Sequence, residues 1–297
     1  MDIDKIVTNN ETNRNETLTQ KVKRLFCNDM HERVKRIQNY LREKAEEIMH
    51  SEPYQCLFQD TETKKLVRKV MRNYNLSYQA LCRLYDLREK DMHTALHGIR
   101  LAVAAVPFGR ELGLEKEELH DLNLGSLYHD IGKEDMKEVI YKEGKLTDND
   151  WQEITSHPIK TVKVIDEIND SVLKDHGYDG FSIQIKPPVR LMDLGHHKWI
   201  MYDQEQSKRQ GGRQRSYPDD TIIEEPSMLA QILAITDAFD AMRDKHHYCN
   251  GRVKEGLAQN EALAELERES KVTERNKLGV HFNQYFVKVY SKMYSQN

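Results

Sequence analysis

The residues most able to do chemistry lie at positions 128–133, where a histidine and an aspartate are adjacent and a lysine follows three residues later. Imidazole and carboxylate groups both bind metal ions, and the two oxygens of an ionised Asp130 can bridge a pair of cations. Lys133 would share a helical face with Asp130. Because a His-Asp pair on a helix is more often an ordinary polar pair than a metal site, its meaning depends on the rest of the chain.

Other histidines and aspartates could complete a metal site. His93 and His97 stand four residues apart, so they share one face of a helix. Asp237 interrupts an apolar helical pattern that runs from residue 229 to residue 239. A carboxylate on a buried face costs several kcal/mol unless it is paired or binds a metal. The remaining candidates are His129, Asp130, His157, His196 and His197.

The order and spacing of these residues resemble the HD superfamily of metal-dependent phosphohydrolases, and within it the HD-GYP cyclic-dinucleotide phosphodiesterases. The resemblance extends from about residue 80 to the C-terminus. Besides the candidates themselves, it includes the flanking motifs Leu112-Gly113-Leu114, His129-Asp130-Ile131-Gly132-Lys133, Ser156-His157-Pro158, Asp237-Ala238-Phe239-Asp240-Ala241 and Gly279-Val280-His281-Phe282.

What the resemblance implies is a phosphodiesterase with two divalent ions, iron or manganese, that opens a cyclic dinucleotide such as c-di-GMP or a cGAMP-like molecule. A hydroxide bridging the ions would attack phosphorus. Imidazole with carboxylate also suits zinc, and the sequence does not choose among these metals. One ion would bind His97, His129, Asp130 and Asp237, and Asp130 would bridge to a second ion bound by His157, His196 and His197.

Lys133 and Asp130 are the residues to which this resemblance gives catalytic roles. The ammonium of Lys133 is disfavoured beside two dications, so it could donate a proton to the leaving oxygen. It could instead only contact a phosphate oxygen, and an exposed lysine at a helix end is the plain alternative.

The segment after the paired histidines departs from the family. HD-GYP proteins carry a glutamate and then Gly-Tyr-Pro, whereas this chain has Lys198, and its nearest counterpart is Ser216-Tyr217-Pro218. We expect Tyr217 to face the substrate. The basic loop 198–218 is either a solvated loop or a cover over a phosphate, for which Arg213 and Arg215 offer bidentate contacts.

Some alternatives stay open. His93 stands where some family members have a carboxylate for a third metal, although a spectator role is favoured. The chain could act on another nucleotide, serve as a di-iron oxygenase like a few HD relatives, or bind a nucleotide without hydrolysing it. Oxygen consumption coupled to substrate would favour the oxygenase.

Composition predicts an all-α protein. Of the 297 residues, 32% are charged and 38% hydrophobic, which favours long, well-solvated helices over sheets. The net charge of -4, without a basic tail, gives no reason to expect general nucleic-acid binding. The four cysteines have no CxxC spacing, and no leader or membrane-length apolar run is evident, so we expect a cytoplasmic protein with free thiols and no membrane contact.

The element pattern predicts an HD-domain helical bundle at 86–297, preceded by an N-terminal helical region at 1–85 whose first 15 residues are disordered. An apolar stripe between residues 18 and 48 packs against its own domain or forms a homodimer through the N-terminal helices. Pro107 should kink or split the helix at 91–114, and Gly113 should end it. Further helices are predicted at 115–133, 229–242, 252–268 and 280–293. Thr147 and Asp150 should cap a helix that carries His157. A loop is predicted at 166–195, and no strand pairs are expected.

Overall fold

The computed structural model describes residues 18–72, 78–174, 184–202, 216–218, 222, 225–247, 253–272 and 279–295. The first 15 residues, for which we predict disorder, lie outside them. The described chain is built from helices, so the all-α prediction is confirmed. Its N-terminal part contains α1 (Leu18–Met49), a 3-10 helix (Tyr54–Phe58), α2 (Thr61–Arg72) and α3 (Tyr78–Lys90).

The remaining helices follow in two groups. The central group contains α4 (Met92–Glu111), α5 (Lys116–Tyr128), a 3-10 helix (Ile131–Lys133), α6 (Lys137–Ile140), α7 (Asp148–Thr155), α8 (His157–Lys174) and α9 (Pro187–Gly195). The last group contains α10 (Met228–Arg243), α11 (Gln259–Glu269) and α12 (Gln284–Tyr294). The prediction of no strand pairs is wrong in this detail. The described residues form two short antiparallel pairings, in which β1 (Met201–Tyr202) pairs with β4 (Gly279–Val280) and β2 (His246–His247) with β3 (Val253–Lys254).

Helix α4 is the central helix of the bundle and packs against α1, α3, α5 and α10. Asp91 caps its N-terminus by accepting hydrogen bonds from the backbone N–H groups of His93 and Thr94. Gly113 ends it with a φ of 83°, and the backbone bonds Gly113 N to Arg110 O and Leu114 N to Gly109 O form a Schellman motif. The predicted stop at Gly113 is therefore confirmed.

Pro107 does not split α4, which corrects one of the two predicted outcomes. Every residue from 101 to 109 is buried. A proline inside a helix costs about 3 kcal/mol. Burial of a side chain such as Val103, Val106 or Phe108 contributes roughly 1.5–3 kcal/mol each, so packing outweighs the lost backbone bond.

The segments around the histidines also differ from prediction in their boundaries. Helix α5 ends at Tyr128, and a 3-10 turn replaces the predicted helix as far as residue 133. The capping box between Thr147 and Asp150 is confirmed, but α7 ends at Thr155 and His157 begins α8. The loop predicted at 166–195 is wrong in part, because α8 continues to Lys174 and Pro187 starts α9. A proline at the first helical position loses no intrahelical bond.

The hydrophobic core is continuous across the predicted domain boundary. Buried residues from Val34 to Tyr294 belong to one cluster, and the boundary between residues 85 and 86 falls inside α3. From residue 34 to residue 48 the apolar stripe of α1 is buried within the molecule. The division into two domains and the homodimer both stay predictions.

None of the described helices is both long enough and apolar enough to cross a membrane. Neither Cys56 nor Cys82 forms a disulfide, while the side chains of Cys27 and Cys249 lie outside the described part of the chain.

Candidate metal centre

The structure brings together all seven side chains that were predicted as metal ligands. They form three overlapping groups in which the ligand atoms lie within 4.8 Å of one another: His97, His129 and Asp237; His129, Asp130 and His196; and His157, His196 and His197. The groups share His129 and His196, so they make one continuous cluster.

Five separate elements supply this cluster. Helix α4 carries His97 and α10 carries Asp237, while α8 begins with His157. The other four residues follow helix ends: His129 and Asp130 come directly after α5, and His196 and His197 directly after α9. Helix ends allow two neighbouring residues to point toward one centre, which a continuous helix does not.

Asp130 lies between the two halves of the cluster. Its Oδ2 is 3.3 Å from His129 Nε2, and its Oδ1 is 3.3 Å from His157 Nε2. The two oxygens of one carboxylate therefore face imidazoles on opposite sides. This is the arrangement that a carboxylate shared by two cations requires.

One half of the cluster is organised around Asp237, whose side chain is 13% exposed. Its Oδ1 is 2.9 Å from His97 Nε2 and 3.9 Å from His129 Nε2. In the other half, His157 Nε2 and His196 Nε2 are 3.2 Å apart, and the rings of His196 and His197 have centroids 4.2 Å apart.

Backbone carbonyls fix the orientation of three of the imidazoles. In each case the ring Nδ1 donates to the carbonyl three residues earlier, which leaves the Nε2 lone pair of the neutral ring free to bind a metal. The three bonds run from His129 to Ser126 (2.9 Å), from His157 to Ile154 (2.7 Å) and from His196 to Asp193 (2.6 Å).

The protonation states suit metal binding. Burial lowers the pKa of His196 to about 4 and the pKa values of His157 and His197 well below the ordinary histidine range, so these rings are neutral at pH 7. Burial opposes ionisation of Asp130, but its neighbours His129 and Lys133 outweigh it and hold the pKa of Asp130 well below its usual value. Neutral imidazoles and ionised carboxylates are the forms that ligate.

Unsatisfied polar atoms provide a test of whether the residues fit a metal. His129 Nε2, Asp130 Oδ1 and His197 Nε2 are buried without a hydrogen-bond partner. Leaving such atoms unpaired costs about 1–3 kcal/mol each, and more for a charged group. Because all three belong to the same cluster, divalent cations would satisfy them together, and the donor set fits a pair of such ions.

His97 has a second partner that the sequence interpretation did not assign. Its Nδ1 lies 2.6 Å from Asp240 Oδ2, so a carboxylate orients this ring, whereas backbone carbonyls orient the rings of His129, His157 and His196. Burial lowers the pKa of His97, but Asp237 and Asp240 outweigh this and raise it to about 10. A metal ion must therefore displace a proton from this ring. Asp240 lies one helical turn after Asp237, and this spacing was the available signal.

Lys133 contacts Asp130, as its position three residues later predicts. Lys133 Nζ donates to Asp130 Oδ2 at 2.7 Å, and its side chain is 20% exposed. The ammonium group thus sits at the edge of the cluster with access to solvent.

Tyr217 lies beside the paired histidines although it is far from them in sequence. Its ring centroid is 4.7 Å from that of His197, and its backbone N donates to His197 O at 3.3 Å. Lys198 Nζ donates to Pro218 O at 3.4 Å, and Trp199 N donates to Ser216 Oγ at 3.0 Å. The Ser216-Tyr217-Pro218 segment therefore packs directly on the turn that carries His196 and His197.

Two other predicted residues, Arg213 and Arg215, lie outside the described residues. His93 is exposed on α4, with its ring centroid 6.2 Å from that of Tyr141. Among the described residues, none of the groups with metal-ligand spacing includes His93.

Two curated proteins are similar to part of this chain. The chain is 25% identical over 173 residues to the cyclic di-GMP phosphodiesterase PA4108 of Pseudomonas aeruginosa, covering 58% of this chain and 36% of that protein. It is 29% identical over 168 residues to the cyclic di-GMP phosphodiesterase response regulator RpfG of Xanthomonas campestris pv. campestris, covering 56% and 36%. The chain thus spans about a third of the length of the curated relatives it matches.

Among solved structures, the HDG"Y"P protein Bd1817 of Bdellovibrio bacteriovorus aligns over 87% of this chain and 70% of its own, with 16% identity and a TM-score of 0.46. No family model matches the chain. The two curated relatives support the resemblance to HD-GYP-like phosphodiesterases.

Proposed function

We propose that this chain is a metal-dependent phosphodiesterase that hydrolyses a cyclic dinucleotide, cyclic di-GMP or a cGAMP-like molecule, using two divalent ions of iron or manganese. The observation that carries the proposal is the convergence of histidines and aspartates from five elements around the two oxygens of Asp130. The names of the two curated relatives support the substrate class.

In this proposal, the seven side chains divide between two ions. His97, His129 and Asp237 would hold one, His157, His196 and His197 the other, and Asp130 would contact both. Bound divalent ions would neutralise phosphate charge and lower the pKa of a water molecule so that it can attack phosphorus. The side chains of this protein must orient the substrate, exclude bulk water and donate protons.

Lys133 is proposed to handle the leaving group. Its ammonium group is partly exposed and already beside Asp130, so a phosphodiester that approaches the cluster would meet it. There it would donate a proton to the leaving oxygen or hold a phosphate oxygen. Both roles need the charged amine at this position.

Tyr217 is proposed to contact a base of the substrate. Its half-buried ring lies at the His197 side of the cluster, and stacking of a base on an aromatic ring contributes about 1–3 kcal/mol. Arg213 and Arg215 stay candidates for phosphate contacts.

Removal of the shared carboxylate tests the proposal. We expect Asp130→Ala and His129→Ala to lose bound metal and turnover together, because each removes a group at the centre of the cluster. Metal content by elemental analysis and hydrolysis of cyclic di-GMP by mass spectrometry are the measurements. Asp135→Ala, which changes an aspartate that is 81% exposed, is the matched control and should keep both. Full activity in metal-free Asp130→Ala protein would contradict the mechanism.

A substrate panel separates this proposal from its alternatives. Cyclic di-GMP, a cGAMP and linear dinucleotides are incubated with manganese or iron, with and without oxygen. Anaerobic hydrolysis with manganese would support the phosphodiesterase and reject the oxygenase. Tight binding of a cyclic dinucleotide without hydrolysis under several metals would instead indicate a non-catalytic sensor.

A further inference from the structure

Asp240 is the point where the N-terminal region reaches the metal centre. The Tyr54 hydroxyl, in the 3-10 helix Tyr54–Phe58, donates to Asp240 Oδ1. The other oxygen, Asp240 Oδ2, contacts His97 Nδ1 at 2.6 Å. A chain of two hydrogen bonds therefore connects Tyr54 to a proposed metal ligand.

The carboxylate of Asp240 is held from three sides. Besides Tyr54 and His97, Arg100 Nε donates to its two oxygens at 2.8 and 2.9 Å. Asp240 is only 3% exposed, so water does not substitute for any of these donors. Arg100 also pairs with Asp244, so Asp240 Oδ1 is held by one charged donor, Arg100 Nε, and one neutral donor, the Tyr54 hydroxyl.

Tyr54 itself is firmly positioned. It is 3% exposed, and its 3-10 helix packs against α1, α2, α4 and α12. Burial, followed by the charge of Asp240, raises the pKa of the Tyr54 hydroxyl well above its usual value, so the hydroxyl stays protonated and donates. Packing from four helices and a permanent donor together make Tyr54 a fixed anchor.

We propose that Tyr54 is a positioning residue of the metal centre, which acts through Asp240 to orient the ring of His97. This inference rests on the proposed metal site. Groups that hydrogen-bond to metal-binding histidines commonly change metal affinity by about 10–100-fold when they are removed. The predicted HD-GYP-like part of the chain would then depend on a residue from the preceding region for full metal affinity.

The test is metal affinity of Tyr54→Phe, measured by calorimetric titration of metal-free full-length protein with manganese. We expect the ion held by His97 to bind about 10–100-fold more weakly and the second ion to keep its affinity. With cobalt in place of manganese, the visible absorption of the first site should also change, since the ring of His97 is freed to rotate.

A matched control separates positioning from packing. Tyr290→Phe also removes a buried tyrosine hydroxyl near α10, but that hydroxyl contacts the hydroxyl of Tyr294 at 3.2 Å rather than Asp240. It should lower thermal stability without changing either affinity or the cobalt spectrum. If Tyr54→Phe does not fold, Tyr54→Met also lacks the hydroxyl and fills the space with a flexible side chain.

The outcomes distinguish the two proposals. Wild-type affinities and an unchanged cobalt spectrum in a folded Tyr54 variant would overturn the role of Tyr54 and leave the metal centre standing. Failure of the wild-type protein to bind manganese, or two undiminished ions in His97→Ala, would overturn the metal centre and the role of Tyr54 with it.

Discussion

At the scale of single residues, Asp130 is notable for the number of polar groups that contact its one carboxylate. One carboxylate faces His129, His157 and the ammonium group of Lys133, all within 3.3 Å. Of these three neighbours, only Lys133 is not proposed as a metal ligand. Its side chain is partly exposed, so in the proposed mechanism its amine is the group of this set that can reach a substrate.

Replacement of Lys133 separates binding of metal from chemistry. We expect Lys133→Gln to keep both ions but to lower kcat by about 10²–10⁴-fold, the usual contribution of a general acid. A larger rise in KM with a small change in kcat would instead assign Lys133 to phosphate binding. Steady-state kinetics and metal content are measured together.

Lys142→Gln is the matched control for this variant. Lys142 also pairs with an aspartate, Asp150 at 2.6 Å, but lies outside the cluster. It should change neither kcat nor KM. Loss of metal in Lys133→Gln would contradict the assignment, since it would make the lysine part of the metal site's support.

The sequence predicted the seven candidate ligands better than it predicted the residues that hold those ligands in place. The seven candidate positions follow from motif order, and the structure brings them together, although their roles as ligands stay predictions. The Tyr54–Asp240 contact joins residues separated by 186 positions, and no local pattern indicates such a pair. Tyr217 was predicted near the substrate from a motif counterpart, whereas its contact with His197 needed the fold.

At the scale of elements, the close approach of the 3-10 helix Ile131–Lys133 to α8 positions Asp130. A Cβ atom on Gly132 would lie 2.5 Å from both His157 O and Thr161 N. The Thr161 hydroxyl accepts from Gly132 N at 3.0 Å and donates to His129 O at 2.8 Å. Only glycine allows this spacing.

We expect Gly132→Ala to lower the free energy of unfolding by about 1–3 kcal/mol, because backbone on both sides must shift to admit the methyl group. It should also weaken metal binding, since the shift separates His157 from Asp130. Urea unfolding and manganese titration measure the two effects.

Gly125→Ala is the comparison variant for this prediction. Its nearest neighbour is the flexible end of Met192, and alanine gains helix propensity of about 1 kcal/mol within α5. Its loss of stability should therefore be smaller. Equal losses in the two variants would show that contact with backbone is not what makes Gly132 sensitive.

Element boundaries near the histidines were predictable only in part. Caps such as Asp91, Thr147 and Gly113 are local signals, and the corresponding turns are found. The break between Thr155 and His157 has no glycine or proline before it, so the pattern indicated a single helix. A proline such as Pro187 is typical both of loops and of the first position of a helix. The sequence alone did not distinguish the two, and in the structure Pro187 begins α9, whose Val189 and Met192 are buried.

At the scale of the whole molecule, the buried imidazoles set how metal-free protein responds to acid. Burial, and for His157 also Lys133, lowers the pKa values of His157, His196 and His197 below about 6.5, the value expected in the unfolded chain. Below pH 6.5 the unfolded chain therefore binds protons that the folded chain does not. Stability of the metal-free protein must fall as pH falls from about 6.5 toward 4.

Burial raises the pKa of Asp193 well above its usual value, which opposes this trend, but the charged groups of the cluster do not. The pKa of His97 is raised to about 10, so its contribution is fully present below pH 6.5 and is lost only as pH rises through 10. Asp130, Asp237 and Asp240 have lowered pKa values, and their contributions are lost only in stronger acid, below about pH 4.

Urea unfolding of metal-free protein at several pH values measures this slope. His50→Gln changes an exposed histidine and should leave the profile unchanged. His196→Gln, which removes a titrating ring, should flatten it. A wild-type profile that is level between pH 6.5 and 4.5 would contradict the prediction.

The all-α class was predictable from composition and helical periodicity. The continuity of the core was not, because periodicity shows that a helix has an apolar face but not which helix covers it. Helix α4 carries His97 and also packs against α1 and α3, so this one helix contacts both the N-terminal helices and the candidate metal centre.

These two sets of contacts made by α4 limit how this chain can be recombined during evolution. A gene fusion that carried only the histidine-bearing helices into a new protein would leave the apolar side of α4 facing water. A fusion that also carried α1 to α3 would keep it covered. Inherited rearrangements of this chain should therefore preserve the stretch from α1 onward as one unit, with new modules joined outside it.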